Sequence, residues 1–141
     1  METEQKVFSP NDLKGLRVLH LTLDKKYFLQ ILKGEKTREY RELKPYWFER
    51  LCDKVKLEKE QAANIIDKKD GQGYVYKQFD IIEFKNGYGK YAPVILAVWD
   101  GIDLDKPNPE WCDEDKIPIN EKGEFTVAFA IKIGQIIHVK A

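Results

Sequence analysis

Cysteine is scarce. Only Cys52 and Cys112 occur in 141 residues, far apart and without CxxC spacing, which argues against a disulfide framework or a zinc knuckle. That scarcity predicts a reducing compartment. Net charge is also missing: 24 Lys and Arg balance 24 Asp and Glu, so the whole chain is neither a basic nucleic-acid arm nor an acidic tail. Any polyanion must then be held by a local patch. No apolar run approaches the roughly 18 residues of a membrane span. The opening METEQKVFSPNDLKG lacks the basic and apolar regions of a signal peptide. A cytoplasmic chain without membrane contact is therefore expected. With 43% hydrophobic and 34% charged residues, a single domain of this length can bury a sufficient core without metal or disulfide.

Met1 to Gly15 has no period and reads as a mobile lead-in, leaving residues 16–141 as one domain. Val18 to Leu23 alternates Leu19, Leu21 and Leu23 against Val18, His20 and Thr22, the pattern of a strand with one buried face. Asp24 then offers an N-cap oxygen to a short helix carrying Tyr27, Phe28, Ile31 and Leu32, and Gly34 supplies a left-handed stop. Glu35 to Tyr40 suits an extended strand, with Thr37, Glu39 and Arg41 on one face. Pro45 opens a second helix, in which Trp47, Phe48, Leu51, Cys52 and Val55 are predicted to form one stripe.

Lys56 to Gly73 thins into charge and reads as an exposed loop or fraying end. Strands are predicted over 73–76, 79–84 and 93–99, with Asn86-Gly87 as a turn. Asp103 to Gly123, with three prolines among acids, reads as a long irregular loop, and 125–139 as two β-rich runs divided at Gly134. Short strands with two early helices favour an α+β fold over a doubly wound sheet. The expected form is a small, mostly antiparallel β-barrel with two or so helices flanking its mouth, because closure removes edge strands.

Charge is uneven along the chain. Lys14 to Lys44 is rich in bases, and Asp100 to Glu124 is rich in acids. Charge-rich stretches are usually solvated faces. The basic one stands out for its aromatic neighbours, since Tyr40, Tyr46 and Trp47 adjoin Arg38, Arg41 and Lys44, and single-stranded bases are held by stacking plus backbone charge. No metal or cofactor is expected. His20 and His138 are isolated on strands, no Asp/Glu/His cluster has ligand spacing, and neither Gly71-Gln72-Gly73 nor Asn86-Gly87-Tyr88-Gly89 fits a phosphate-loop pattern.

Gly34-Glu35-Lys36-Thr37-Arg38-Glu39-Tyr40-Arg41 fits GxKxxExR. With the strand and helix before it, the Lys44-Pro45-Tyr46-Trp47 continuation, the segment Tyr76 to Gly89 and the closing Phe125 to Ile137, the chain from Val18 onward resembles the ASCH family, small domains with a PUA-like barrel. That resemblance implies a cleft accepting RNA or a nucleotide-like ligand, lined by Lys36, Glu39 and Arg41. Tyr40, Lys44, Tyr46 and Asn86 rank second, and Tyr88 sits beside Asn86 at the expected edge.

In such a site Lys36 is a compact cation for phosphate, or a base or nucleophile if desolvated. Glu39 accepts hydrogen bonds from a base or shuttles a proton, and Arg41 offers a planar fork. The competing reading is that Glu39 and Arg41 simply pair and that Tyr46 and Trp47 staple the helix. A hydrolase of the ASCH type, an acetylcytidine amidohydrolase or ribonuclease using Lys36 and Glu39, is the first alternative function. Glu39 stands where the amidohydrolases carry threonine, and Glu83 falls nearest their downstream glutamate. The second alternative is a protein-binding module using the acidic loop 100–124.

Overall fold

The computed structural model describes residues 13–56, 72–113, 121–123 and 126–140. Most of the expected lead-in and most of the 56–73 stretch lie outside the described residues. Among the described residues, elements follow in the order β1 (Val18–Leu23), α1 (Lys25–Leu32), β2 (Arg38–Arg41), α2 (Pro45–Leu51), β3 (Cys52–Lys56), β4 (Gln72–Tyr76), β5 (Ile81–Asn86), β6 (Val94–Asp105) and β7 (Ala128–Lys140), with a 3₁₀ turn at Pro109–Trp111. The fold is α+β. Five strands form a sheet in the order β1-β5-β6-β7-β2, in which only the β1–β5 pair is parallel, while β3 and β4 make a separate antiparallel pair. No helix among the described residues is long and apolar enough to cross a membrane.

Alternation in β1 sends Leu19, Leu21 and Leu23 inward, where they meet Phe28 and Ile31 of α1, Ile82 and Phe84 of β5, Ile95 and Ala97 of β6, and Phe129 and Ile131 of β7. Fully burying one such side chain stabilises the fold by about 1.5–3 kcal/mol relative to leaving it exposed, so this cluster supplies the main driving force.

Three expectations need correction. The five-stranded sheet is not a closed barrel: β1 and β2 stand at its two ends. Instead of closure, side chains cover the free edge of β1. Arg41 Nη2 donates to the Thr22 carbonyl (3.2 Å) and Arg50 Nη2 to the His20 carbonyl (2.7 Å), carbonyls two residues apart on one edge. A strand edge whose acceptors are taken by arginines is a poor template for another chain.

Second, α2 stops at Leu51. Cys52 is already extended (φ −137°, ψ 153°), so Trp47, Phe48 and Leu51 share the helix while Cys52 and Val55 belong to β3. Third, strand reaches further than expected at both places where punctuation was read as a break. β6 runs on through Asp103 to Asp105, and β7 passes straight through Gly134. A Cβ on Gly134 would lie 2.7 Å from the Val98 carbonyl oxygen, beside a register irregularity between β6 and β7. This glycine permits a close backbone approach, not a break.

Candidate ligand cleft

The turn after α1 decides where the motif side chains go. Gly34 adopts φ +77°, and the Gln30 carbonyl accepts from both the Glu35 and Lys36 amides (2.9 and 3.1 Å), which reverses the chain into β2. Pairing of β2 with β7, with Glu39 opposite Ile131 and Arg41 opposite Phe129, then fixes the register. Period-two alternation puts Glu39 and Arg41 on one face, as the sequence predicted.

Lys36, Glu39 and Arg41 form one connected network. Lys36 Nζ donates to Glu39 Oε1 (2.9 Å), and Arg41 Nη2 donates to Glu39 Oε2 (2.9 Å). Glu39 Oε1 also accepts from the Tyr40 amide (3.1 Å). The Glu39–Arg41 pairing of the competing reading is therefore present and largely buried, with side chains 6% and 20% exposed, and the Lys36 side chain that joins it is 1% exposed. Lys36 Nζ donates further to the Trp111 carbonyl and lies 4.6 Å from the centroid of the Tyr27 ring. An ammonium has three donors, and two carbonyl-type acceptors plus one aromatic face leave it no direction free.

Beside this network opens a cleft of about 300 Å³. Glu39, Tyr40 and Arg41 line it from β2, Trp47 from α2, and Trp111, Cys112 and Asp113 from the segment after β6. Arg41 stacks on Trp47 (4.7 Å to the ring centroid), whose indole also faces Arg50 at 5.0 Å. Arg41 Nε is buried without a hydrogen-bond partner. Burial raises the Tyr40 phenol above its usual range, an effect partly offset by a hydrogen bond from the Asn108 backbone. The Cys112 thiol is likewise raised by burial, with the Lys36 charge pulling the other way.

The remaining sequence candidates separate. Lys36 belongs to the network but does not line the cleft. Lys44 pairs with Glu42 (3.1 Å) at the surface, and Tyr46 is 60% exposed, stacked edge-on against Trp47 outside the cleft. Asn86 closes the β5–β6 hairpin through its amide on the Pro93 carbonyl (3.0 Å), whereas Gly87 and Tyr88 do reach the rim. Glu83 Oε1 accepts from His20 Nδ1 (2.9 Å) and is not part of the lining.

Among the lining residues that the sequence reading did not single out are Asp24, Tyr27, Trp111 and Asp113. Asp24 occupies the N-cap position of α1 yet makes no side-chain cap bond and lines the cleft instead. Tyr27 read as core, and its hydroxyl donates to Asp113 Oδ1 (2.8 Å). Trp111 and Asp113 lay within a presumed irregular loop. Only tertiary contact identifies these, although an acid beside an aromatic at a helix start was a weak cue for the first two.

No family model matches the chain, and neither does any curated protein or solved structure.

Proposed function

We propose that this chain is an ASCH-type domain that binds RNA or a nucleotide-like ligand by taking a base into the cleft. The observation that carries the reading is the Arg41 guanidinium stacked on the Trp47 indole, both lining the cleft beside the carboxylate of Glu39. Planar π faces hold bases by stacking, and an adjacent acceptor reads an exocyclic amino group. Asp24, Glu39, Glu42 and Asp113 line the cleft against Arg41 alone, whose charge Glu39 already engages. The cleft thus suits a base, and phosphates belong at its rim. The β1–β2 seam bridged by Arg41 is where a PUA-like barrel would close. Both cysteines are free, which supports a cytoplasmic setting.

Binding is favoured over turnover because Lys36, the expected base or nucleophile, is engaged on every side. Among the described acids of the 100–124 stretch, Asp103, Asp105 and Asp113 contact Lys132, Arg38 and Tyr27 of this same chain.

Calorimetric titration with short single-stranded RNAs and with the four nucleosides tests the proposal. Trp47→Ala should weaken binding by roughly 5- to 150-fold, the worth of one stacked base. Absence of binding by every probe, or binding indifferent to Trp47→Ala, refutes it.

A further inference from the structure

The segment Pro107 to Asp113 forms one wall of the cleft without belonging to the sheet that forms the other. Its own backbone holds only a single 3₁₀ turn, capped where the Asn108 side chain accepts from the Glu110 amide (3.0 Å). A row of three polar contacts from α1 and the turn after it ties it to the body, beside the hydrogen bond between Tyr40 of β2 and the Asn108 backbone. Gln30 Nε2 donates to the Glu110 carbonyl (3.0 Å), Lys36 Nζ to the Trp111 carbonyl, and Tyr27 Oη to Asp113 Oδ1 (2.8 Å). Of these the middle contact alone has a charged donor, and that donor is also the one bonded to Glu39.

We infer that Pro107–Asp113 is a latched strap and that Lys36 is its latch: a positioning residue that fixes the Glu39 wall against the Trp111 wall and sets the width of the cleft without touching the ligand. The geometry supports this over direct ligand contact. Lys36 is 2% exposed, its ammonium is surrounded by Glu39, the Trp111 carbonyl and the Tyr27 ring, and it does not line the cleft. Tyr27 serves the same latch twice, since its ring faces the ammonium and its hydroxyl holds the strap's Asp113. Burial and the Asp113 carboxylate both push that phenol upward, so it remains a proton donor to the strap at neutral pH. The inference stands whatever the ligand is, so its failure and that of the binding proposal are separable.

The test uses the full chain without ligand. Lysine acylation followed by mass spectrometry compares Lys36 with Lys44, whose side chain is 63% exposed, and hydrogen exchange follows residues 109–113 alongside β6 and β7. Lys36 should be labelled far more slowly than Lys44. In Tyr27→Phe, which deletes one strap hydrogen bond, Lys36 labelling and exchange at 109–113 should rise together by roughly five- to tenfold while β6 and β7 stay protected. Lys36→Met should free the strap in the same local way, read also as a shifted and broadened Trp111 resonance in fluorotryptophan-labelled protein. Should Lys36→Met fail to fold, Gln30→Ala gives the same readout through the third contact. Labelling of Lys36 at the rate of Lys44, or exchange that rises equally in strap and core, overturns the assignment.

Discussion

Replacing Glu39 by Gln is the sharpest perturbation of the network, because it keeps the shape and removes one charge. Glu39 accepts three hydrogen bonds, from Lys36 Nζ, the Tyr40 amide and Arg41 Nη2. Its side chain and that of Lys36 are 6% and 1% exposed, so solvent cannot take over the released ammonium. Removing one partner of a buried pair strands the other, at a cost of about 3–5 kcal/mol, against about 0–1 kcal/mol for an exposed pair. For a chain of this size that loss lowers Tm by about 9–20 °C, at roughly 3–4 °C per kcal/mol.

Urea and thermal unfolding of Glu39→Gln measure the loss, and Lys44→Ala, which breaks the exposed Lys44–Glu42 pair, serves as the control with little effect. The double variant Lys36→Met/Glu39→Gln removes both charges and should lose less than the sum of the two single changes. A Glu39→Gln cost below about 1 kcal/mol, or strict additivity in the double variant, would show that the pair is solvated and would refute the network as described.

Two further outcomes follow from packing and burial. Gly134→Ala forces a Cβ to within 2.7 Å of the Val98 carbonyl, and urea unfolding should register a loss of about 1–3 kcal/mol; a neutral result would mean that the β6–β7 crossing is looser than the geometry. Burial pushes both the Cys52 thiol and the Tyr76 phenol up to about 12, from ordinary values of 9.0 and 10.0. The unfolded chain therefore releases these protons first. Stability they contribute is complete below about pH 9 and falls as pH rises toward 12, and Cys52→Ala should remove the thiol's share of that slope. An unfolding free energy flat from pH 9 to 11.5 would contradict the burial of both groups.

Where one residue type forces one local geometry, the sequence was legible. Alternating leucines announced the buried face of β1, Gly34 the reversal into β2, and Pro45 the start of α2. From Gly34 the strand register followed, and with it the shared face of Glu39 and Arg41. Legibility failed where a long-range contact outweighed the local signal. Cys52 and Val55 fit the stripe of α2, but β4 pairs with them as strand. Gly134 looked like a break because close approach of Val98 is invisible along the chain. Asp24 looked like a helix cap because an N-cap side chain and a cleft side chain share the same residue type. Lys36 was legible as important, but its role was not, since the Trp111 carbonyl and the Tyr27 ring that enclose it come from distant parts of the chain.

The uneven charge along the chain is also rearranged by tertiary contacts. Read linearly, a basic stretch before Lys44 and an acidic one after Asp100 suggest two outward surfaces, one for anions and one for a protein partner. In the fold β2 and the end of β6 lie on either side of β7, so the two stretches meet. Arg38 reaches Asp105 at 2.6 Å across that strand, Lys132 on β7 takes Asp103, and Lys36 and Tyr27 from the basic side hold the backbone of Trp111 and the carboxylate of Asp113. Exposed pairs of this kind stabilise little, about 0–1 kcal/mol each, but complementary charge sets register and orientation even where it adds little energy. Charge that looked available to a partner is used to bring the acidic strap onto the basic β2 face, and the cleft lies where those two segments meet. On the proposed function, a ligand in that cleft contacts both halves of the chain's charge asymmetry at once, and hydrogen-bond pattern and planarity select it more than net charge does.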